Sequence, residues 1–357
     1  MTQQTYRFED ALYSCNRCGL CHPCSPLMQV QNLESSTARG KIRLARCYVQ
    51  GEVEASRTLI DRIYECLLCG HCSRVCPAGI KVEEVMQSTR RTLASSGKTP
   101  PQIRRIVSNI ELTGNIYGDT AAEKPSKING DLVYFPGCVS SIKHRDLAEA
   151  VLKSLSKAGL NVEVVDGVCC GAPAWAAGYN EVYEKRCELL QGILEGKSVI
   201  TNCPQCQYFL RRLRNVEVKH VSQIYVDLID AGRLKPGKVQ EATVTYSDPC
   251  YLARFLNIID EPRRVLLSMD GLRLVEMESR GENTKCCGNG FELVQNCYPE
   301  LASKLAGNRL KDALNIGAGV VVTSCPHCQV TLGGAARERN LNLEVIDLSQ
   351  LLLKACP

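Results

Sequence analysis

Ten of the chain's 22 cysteines fall into two sets of five with one layout. The first set reads FPGC at Cys138, VCCG at Cys169 and Cys170, and NCPQC at Cys203 and Cys206. The second reads SDPC at Cys250, KCCG at Cys286 and Cys287, and SCPHC at Cys325 and Cys328. The intervals are 30 and 32 residues in the first copy and 35 and 37 in the second, so this is an internal repeat. Grouped thiolates bind soft metals. Zinc takes four ligands and accommodates a strictly vicinal pair poorly. Five sulfurs also exceed the four corners of a cubane iron-sulfur cluster, whereas a core of unusual shape with one bridging thiolate would take the fifth.

Eight more cysteines stand near the N-terminus. Cys66, Cys69, Cys72 and Cys76, followed by Pro77, form the C-x2-C-x2-C-x3-C-P run of bacterial ferredoxins. Cys15, Cys18 and Cys21 repeat its spacing, with Cys24 one residue early and Ser25 at the expected place before Pro26. In two-cluster ferredoxins the fourth cysteine of each run serves the other cluster. That crossing puts Cys15, Cys18, Cys21 and Cys76 on one cubane, and leaves Cys66, Cys69 and Cys72 needing a fourth ligand. Cys24 is the favoured candidate because thiolate is the better ligand for iron. A serine oxygen or a three-iron core are the alternatives. His22, His71 and His327 lie inside cysteine runs, where their hydrogen bonds could tune a cluster; His144, six residues beyond Cys138, is expected at a surface helix start, with proton donation to a departing thiolate as the alternative.

These residues resemble the CCG-domain iron-sulfur oxidoreductases, the family typified by heterodisulfide reductase. The resemblance implies that each complete five-cysteine set holds a noncubane [4Fe-4S] cluster. The N-terminal part, with an ARG-containing helix between its cysteine runs, is similar to the helical two-[4Fe-4S] ferredoxin domain of the glycolate oxidase iron-sulfur subunit. The fusion of both parts resembles the membrane-linked form of heterodisulfide reductase. By that analogy two cubane clusters carry electrons to two noncubane clusters, where a disulfide is cleaved homolytically and each sulfur is captured by a cluster iron. The ten repeat cysteines then count as catalytic and the eight N-terminal ones as cofactor-binding. The alternative is a relay subunit without a substrate, working beside a flavoprotein that oxidises glycolate, lactate or glycerol-3-phosphate.

The elements that must position these sulfurs follow from periodicity. Helices are expected over 5–14, 82–95 and 102–112, and the polar, Pro- and Gly-broken segment 117–131 reads as a linker. Beyond it, strands at 132–135, 161–166, 198–201 and 216–221 alternate with helices at 146–159 and 180–195. The second copy repeats this with strands at 244–247, 272–277, 319–323 and 343–347 and helices near 261–269 and at 299–315. Each cysteine group falls just past a strand's carboxyl end, where open α/β sheets collect ligands. The expected fold is therefore multidomain, α then α/β: a helical dicluster ferredoxin domain (1–100), a connecting helix and linker (101–130), and two Rossmann-like CCG domains (131–238 and 239–357).

Gly171, Gly288 and Gly290 serve either turns or close approach to sulfide, and Pro204 and Pro326 should open helices after each CxxC turn. Arg39, Lys41 and Arg43 are expected on a solvated face, with support of a cluster's negative charge as the alternative; the RRLRN run at 211–215, on the helix after CPQC, is likewise expected to be solvated, with a docking patch for an acidic partner or anionic substrate as its alternative. Cys47, Cys187, Cys297 and Cys356 are expected to pack in cores, and Trp175 to pack over a cluster.

Composition narrows the class. At 357 residues, 45% hydrophobic and 23% charged, the chain has material for several cores. A net charge of +5 spread along the chain, with 5% aromatic residues, argues against nucleic acid. So many cysteines without an apolar leader point to a reducing cytoplasm rather than a secreted disulfide scaffold. No run reaches the roughly 18 to 20 apolar residues of a bilayer span, so membrane contact, at the inner face, is expected only through a partner. No G-x-G-x-x-G follows a strand, hence no flavin or nucleotide is expected in this chain. Electrons must come from other subunits: a flavoprotein dehydrogenase, an electron-transfer flavoprotein or a membrane cytochrome b.

Overall fold

The computed structural model describes residues 8–120 and 128–356. The expected helix residues 5–7 and linker residues 121–127 lie outside the described residues. The N-terminal part is helical: α1 (Phe8–Tyr13), α2 (Pro26–Gln31), α3 (Ala38–Val49), α4 (Arg57–Tyr64), α5 (His71–Arg74), α6 (Val82–Ser95) and α7 (Pro101–Thr113). Side-chain caps start three of them. Ser25 accepts from Met28 N, Thr37 from Gly40 N and Ser56 from Leu59 N. Gly114, left-handed, ends α7.

Two parallel sheets follow, each flanked by helices. The first is built from β1 (Leu132–Tyr134), β2 (Glu163–Val164), β3 (Ser198–Thr201) and β4 (Glu217–His220), in the order β2-β1-β3-β4. Between and after them run α8 (Arg145–Lys157), α9 (Ala172–Ala177), α10 (Asn180–Leu194), α11 (Pro204–Leu210) and α12 (Val221–Asp230). The second is built from β5 (Lys238–Tyr246), β6 (Asp270–Leu274), β7 (Val320–Thr323) and β8 (Glu344–Asp347), in the equivalent order β6-β5-β7-β8. Its helices are α13 (Asp260–Leu267), α14 (Leu293–Cys297), α15 (Pro299–Asn315), α16 (Pro326–Glu338) and α17 (Leu348–Ala355). The expected alternation of strands and helices is thus present in both halves.

The repeat extends to details. His220 caps α12 and Asp347 caps α17 at matching places, each in a capping box closed by a glutamine, Gln223 or Gln350. A π-helical turn follows the lone cysteine in each copy, Val139–Lys143 after Cys138 and Tyr251–Phe255 after Cys250. Strand alternation sends Val133 and Val199 into the core shared with the N-terminal helices. Tyr134 and Ile200 enter a second core together with Val244, Tyr246 and Val322 of the other sheet. The two sheets therefore share one core, closed by α12 against α13 and α17 against α8. A third core joins Leu27, Leu67 and Cys69 to the second sheet's helices.

The helical part is locked to the first sheet unit by Arg90. This fully buried guanidinium donates to Ile63 O at 3.2 Å, Tyr64 O at 3.0 Å and Ala176 O at 2.8 Å. Tyr64 Oη reaches Ala177 O at 3.1 Å beside it.

Candidate metal centres

Register explains how distant cysteines meet. β1 pairs in parallel with β3, Tyr134 opposite Ile200, so Cys138 and Cys203, four and three residues beyond that pair, emerge together at one edge. In the second sheet Tyr246 stands opposite Val322, and Cys250 and Cys325 emerge the same way. Pro204 and Pro326 occupy the first turn of α11 and α16, as expected, and turn the next cysteine, Cys206 or Cys328, back toward its partner.

The first set closes on a single cavity lined by Cys138, Cys169, Cys170, Cys203 and Cys206, all buried. The sulfurs run in contact from Cys138 to Cys169 to Cys170 to Cys206 to Cys203, with Cys206 Sγ 3.5 Å from Cys170 Sγ. The second set forms the equivalent string: Cys250, Cys286, Cys287, Cys328, Cys325. Hydrogen bonding to the neighbouring sulfur, then burial, pushes the thiols of Cys138, Cys170, Cys206, Cys286 and Cys328 well up. Crowded buried thiols do not all ionise without positive charge among them. A cationic iron-sulfur core supplies that charge and deprotonates them outright. The residues present therefore fit a metal cluster. No three His, Cys, Asp or Glu side chains among the described residues close to the spacing of a single ion; the sulfurs ring a space instead.

The N-terminal cysteines are brought together in the crossed pattern. Cys15, Cys18, Cys21 and Cys76 line one cavity, with Cys72 at its edge and Cys72 Sγ facing Cys21 O at 3.9 Å. The backbone amide of Arg39, at the start of α3, donates to the Cys21 sulfur. Cys18 is exposed, so this set lies at the surface. Cys66, Cys69 and Cys72 form the inner group, with Cys24 facing Cys69. The Ser25 hydroxyl is engaged elsewhere: it accepts from Met28 N at 3.4 Å and donates to Ser36 O at 3.2 Å.

The four groups adjoin one another in series. Cys69 of the inner group adjoins Cys286 of the second set, and Cys325 of that set adjoins Cys203 of the first. His327, from the CPHC motif, also reaches Cys203, while its Nδ1 lies 2.8 Å from Glu292 Oε1. Against burial, its bonds to Cys203 and Glu292 push the imidazole well above its ordinary range. Glu292, against burial, is held low by His327, Asn289 and Asn296.

Several expectations need correction. Lys41 is not on a solvated face: it is 1% exposed, although Arg43 is exposed and Arg39 pairs with Glu34 at 2.6 Å. The RRLRN run lies beyond α11, which ends at Leu210. There Arg212 covers the rings of Tyr208 and Phe209. His144 does stand at a helix start, the N-cap position of α8, with no side-chain cap hydrogen bond and no described contact to any cysteine, whereas His327 has one. His22 pairs with Glu34 at 3.0 Å; burial, followed by Arg254 and Arg74, lowers His71 to about 4. Gly171, Gly288 and Gly290 are left-handed, and a Cβ on each would meet protein atoms rather than cluster sulfur, which is turn chemistry. Gly137, unmarked in the sequence, is the glycine that faces sulfur: its Cβ would stand 2.9 Å from Cys206 Sγ. Trp175 packs on Phe209 and Phe291. Cys356 is buried, Cys187 and Cys297 pack against the first core, and Cys47 is half-buried.

Four groups of cysteines in series, two on the turns between the N-terminal helices and two at the carboxyl edges of parallel sheets, define an iron-sulfur protein. Residues 132–211 and 244–333 match the cysteine-rich CCG domain, and residues 11–80 match the 4Fe-4S dicluster domain, so the chain belongs to the CCG-domain iron-sulfur oxidoreductases. It is similar to a subunit of the dihydromethanophenazine:CoB--CoM heterodisulfide reductase of Methanosarcina acetivorans, 29% identical, with 96% of this chain and 94% of that one covered. It is also similar to a subunit of the fumarate reductase (CoM/CoB) of Methanothermobacter marburgensis, 29% identical, covering 82% of this chain and 61% of the relative. A third relative is the EtfAB:quinone oxidoreductase of Syntrophomonas wolfei, 25% identical, covering 83% of this chain and 46% of the relative. No helix among the described residues is long and apolar enough to cross a membrane.

Proposed function

We propose that this chain is the electron-transferring subunit of a heterodisulfide-reductase-like complex and carries the site of disulfide reduction. In this reading Cys15, Cys18, Cys21 and Cys76 hold an outer cubane, and Cys66, Cys69, Cys72 and Cys24 an inner one. Cys250, Cys286, Cys287, Cys325 and Cys328 hold one noncubane cluster; Cys138, Cys169, Cys170, Cys203 and Cys206 hold the other. The clusters supply one-electron storage when bound. The observation that carries the reading is the series of sulfur contacts: the outer group beside Cys72, Cys69 beside Cys286, and Cys325 beside Cys203. It gives an ordered path from the exposed end to two facing five-cysteine sets. Reduction of one disulfide to two thiols takes two electrons and two protons, so two deliveries along that path are needed per turnover.

His327, held between Glu292 and Cys203, keeps the two sets in fixed relation across the shared interface. Electron donors fitting this reading are an electron-transfer flavoprotein, a flavoprotein dehydrogenase or a membrane cytochrome b. The relay reading keeps one specific support, the likeness to an EtfAB:quinone oxidoreductase. Its extent, under half of that relative's length, ranks it second to a likeness spanning 94% of a heterodisulfide reductase chain.

The test is iron content and turnover under anaerobic conditions. Full loading gives about 16 irons, and a reduced dye should drive reduction of organic disulfides by the complex. Cys170→Ala should abolish that turnover. Iron near eight removes the noncubane sites, and a fully loaded complex inert toward every disulfide tried leaves the relay.

A further inference from the structure

Lys41 lies on α3, which packs against α4 and α6, and is buried. Its ammonium has no hydrogen-bond partner among the described residues. The nearby carboxylate, Glu65, is occupied by Arg62 at 2.6 Å and by Gln31 at 3.1 Å. The other charges acting on Lys41 are the thiols of Cys66 and Cys72 and the Arg90 guanidinium.

Arg90 is equally buried and donates only to carbonyls, with Cys66 O among them. Arg254 donates to Cys69 O at 3.0 Å, Glu282 O at 2.7 Å and Thr284 O, and its charge acts on Cys24 and Cys69. Three cations therefore adjoin one group of four cysteines, and among the described residues none of them is in an ion pair. An isolated buried charge is costly enough that folded proteins pair it or neutralise it. The outer group differs: Arg39 is matched by both carboxylate oxygens of Glu34, and the sulfur side meets a backbone amide.

A core ligated by four thiolates is a net anion in both oxidation states and gains one more negative charge with each electron accepted. Burial away from water opposes that gain; fixed positive charge favours it. We infer that Lys41, backed by Arg90 and Arg254, is the counter-charge that keeps the inner cubane reducible, so that an electron reaching the exposed outer group moves inward. This rests on the cluster assignment above. Lys41 is the residue to vary, because its nitrogen holds no contact to lose, whereas Arg90 holds the chain together.

The experiment is a mediated redox titration of the loaded protein followed by EPR, with iron counted in each sample. In wild type two cubane signals should titrate, and the one that Cys24→Ala removes is the inner. In Lys41→Met and Lys41→Gln the reduced-to-oxidised ratio of the inner signal, read at its wild-type midpoint, should drop about tenfold, a shift of ~59 mV for one electron. The outer midpoint should stay in place, and Lys41→Arg should restore the inner one. Two wild-type signals whose midpoints ignore both neutral variants overturn the charge role alone. A wild-type protein showing fewer than two cubane signals overturns the assignment, and this inference with it.

Discussion

The fourth ligand of the inner group is decided by two adjacent residues, and exchanging them separates the possibilities. Ser25 is 3% exposed and its hydroxyl has two protein partners, the Met28 amide and the Ser36 carbonyl. Removing it in Ser25→Ala costs an N-cap, typically about 1 kcal/mol, and leaves the buried Ser36 carbonyl without that donor, roughly another 1 kcal/mol. For a chain of this size about 2 kcal/mol corresponds to a fall in melting temperature of roughly 3 °C. Iron should be unchanged. Cys24, half-buried and facing Cys69, caps nothing, so Cys24→Ala should leave the helix alone. It should cost about one iron if a three-iron core survives, or about four if the inner cluster is lost. Iron analysis, EPR of the three-iron signal and thermal melting of the same samples read all of this. Full iron in Cys24→Ala together with loss of a cluster in Ser25→Ala would falsify the assignment and restore the serine ligand.

Gly178 ends α9 with φ +92°, and a Cβ there would stand 2.5 Å from the backbone of Arg90 and Arg91. Gly178→Ala should cost about 2 to 5 kcal/mol from overpacking and left-handed strain. Gly192→Ala, in α10 with nothing within 4 Å, should be neutral or stabilising by up to about 1 kcal/mol; urea midpoints of the two variants compare them directly. Acid should act through His220. Its Nδ1 accepts from Ser222 N at 3.2 Å and burial lowers it to about 4. The neutral form is native, so the unfolded chain takes up the proton first, and stability present above about pH 6.5 is lost as pH falls toward 4. Between about pH 7.5 and about pH 5.5 the loss should be about 1 kcal/mol. His220→Asn, which keeps a capping oxygen, should flatten that slope in denaturant titrations; an unchanged slope would assign it to other groups.

The grouping of the sulfurs is legible in the sequence because a thiolate site needs its ligands at loop positions, and loops leave fixed spacings in the chain. The strands before Cys138, Cys203, Cys250 and Cys325 are legible as apolar runs bounded by turn residues. Less is legible where polarity misleads. β5 begins at Lys238, far ahead of the apolar VTY, because its first half is a half-exposed strand with a register shift between Lys238 and Ala242. β2 keeps only Glu163 and Val164 of the expected 161–166, at the sheet's edge. Lys41 reads as solvated because charge on an amphipathic helix usually is, and nothing local distinguishes it from Arg43. Arg90, Arg254 and Glu292 are inconspicuous for the same reason: each owes its importance to residues far away in the chain, such as Ala176, Cys69 and His327.

That distance effect bears on how the molecule can work. Each N-terminal group brings together cysteines of both ferredoxin-like runs, and the inner one is flanked by Arg254, which enters from the second sheet unit. The first five-cysteine cavity is walled in part by Pro326 and His327 of the second unit. No site is therefore built by one segment alone, and assembly of any one requires the packing of its neighbours. A hinge opening between the sheet units would separate Cys203 from Cys325 and His327, and would split the core that holds Tyr134, Ile200, Tyr246 and Val322. On the proposed assignment the electron path runs through this shared core, so a partner would meet it at the exposed end nearest Cys18 rather than through movement between the cysteine groups.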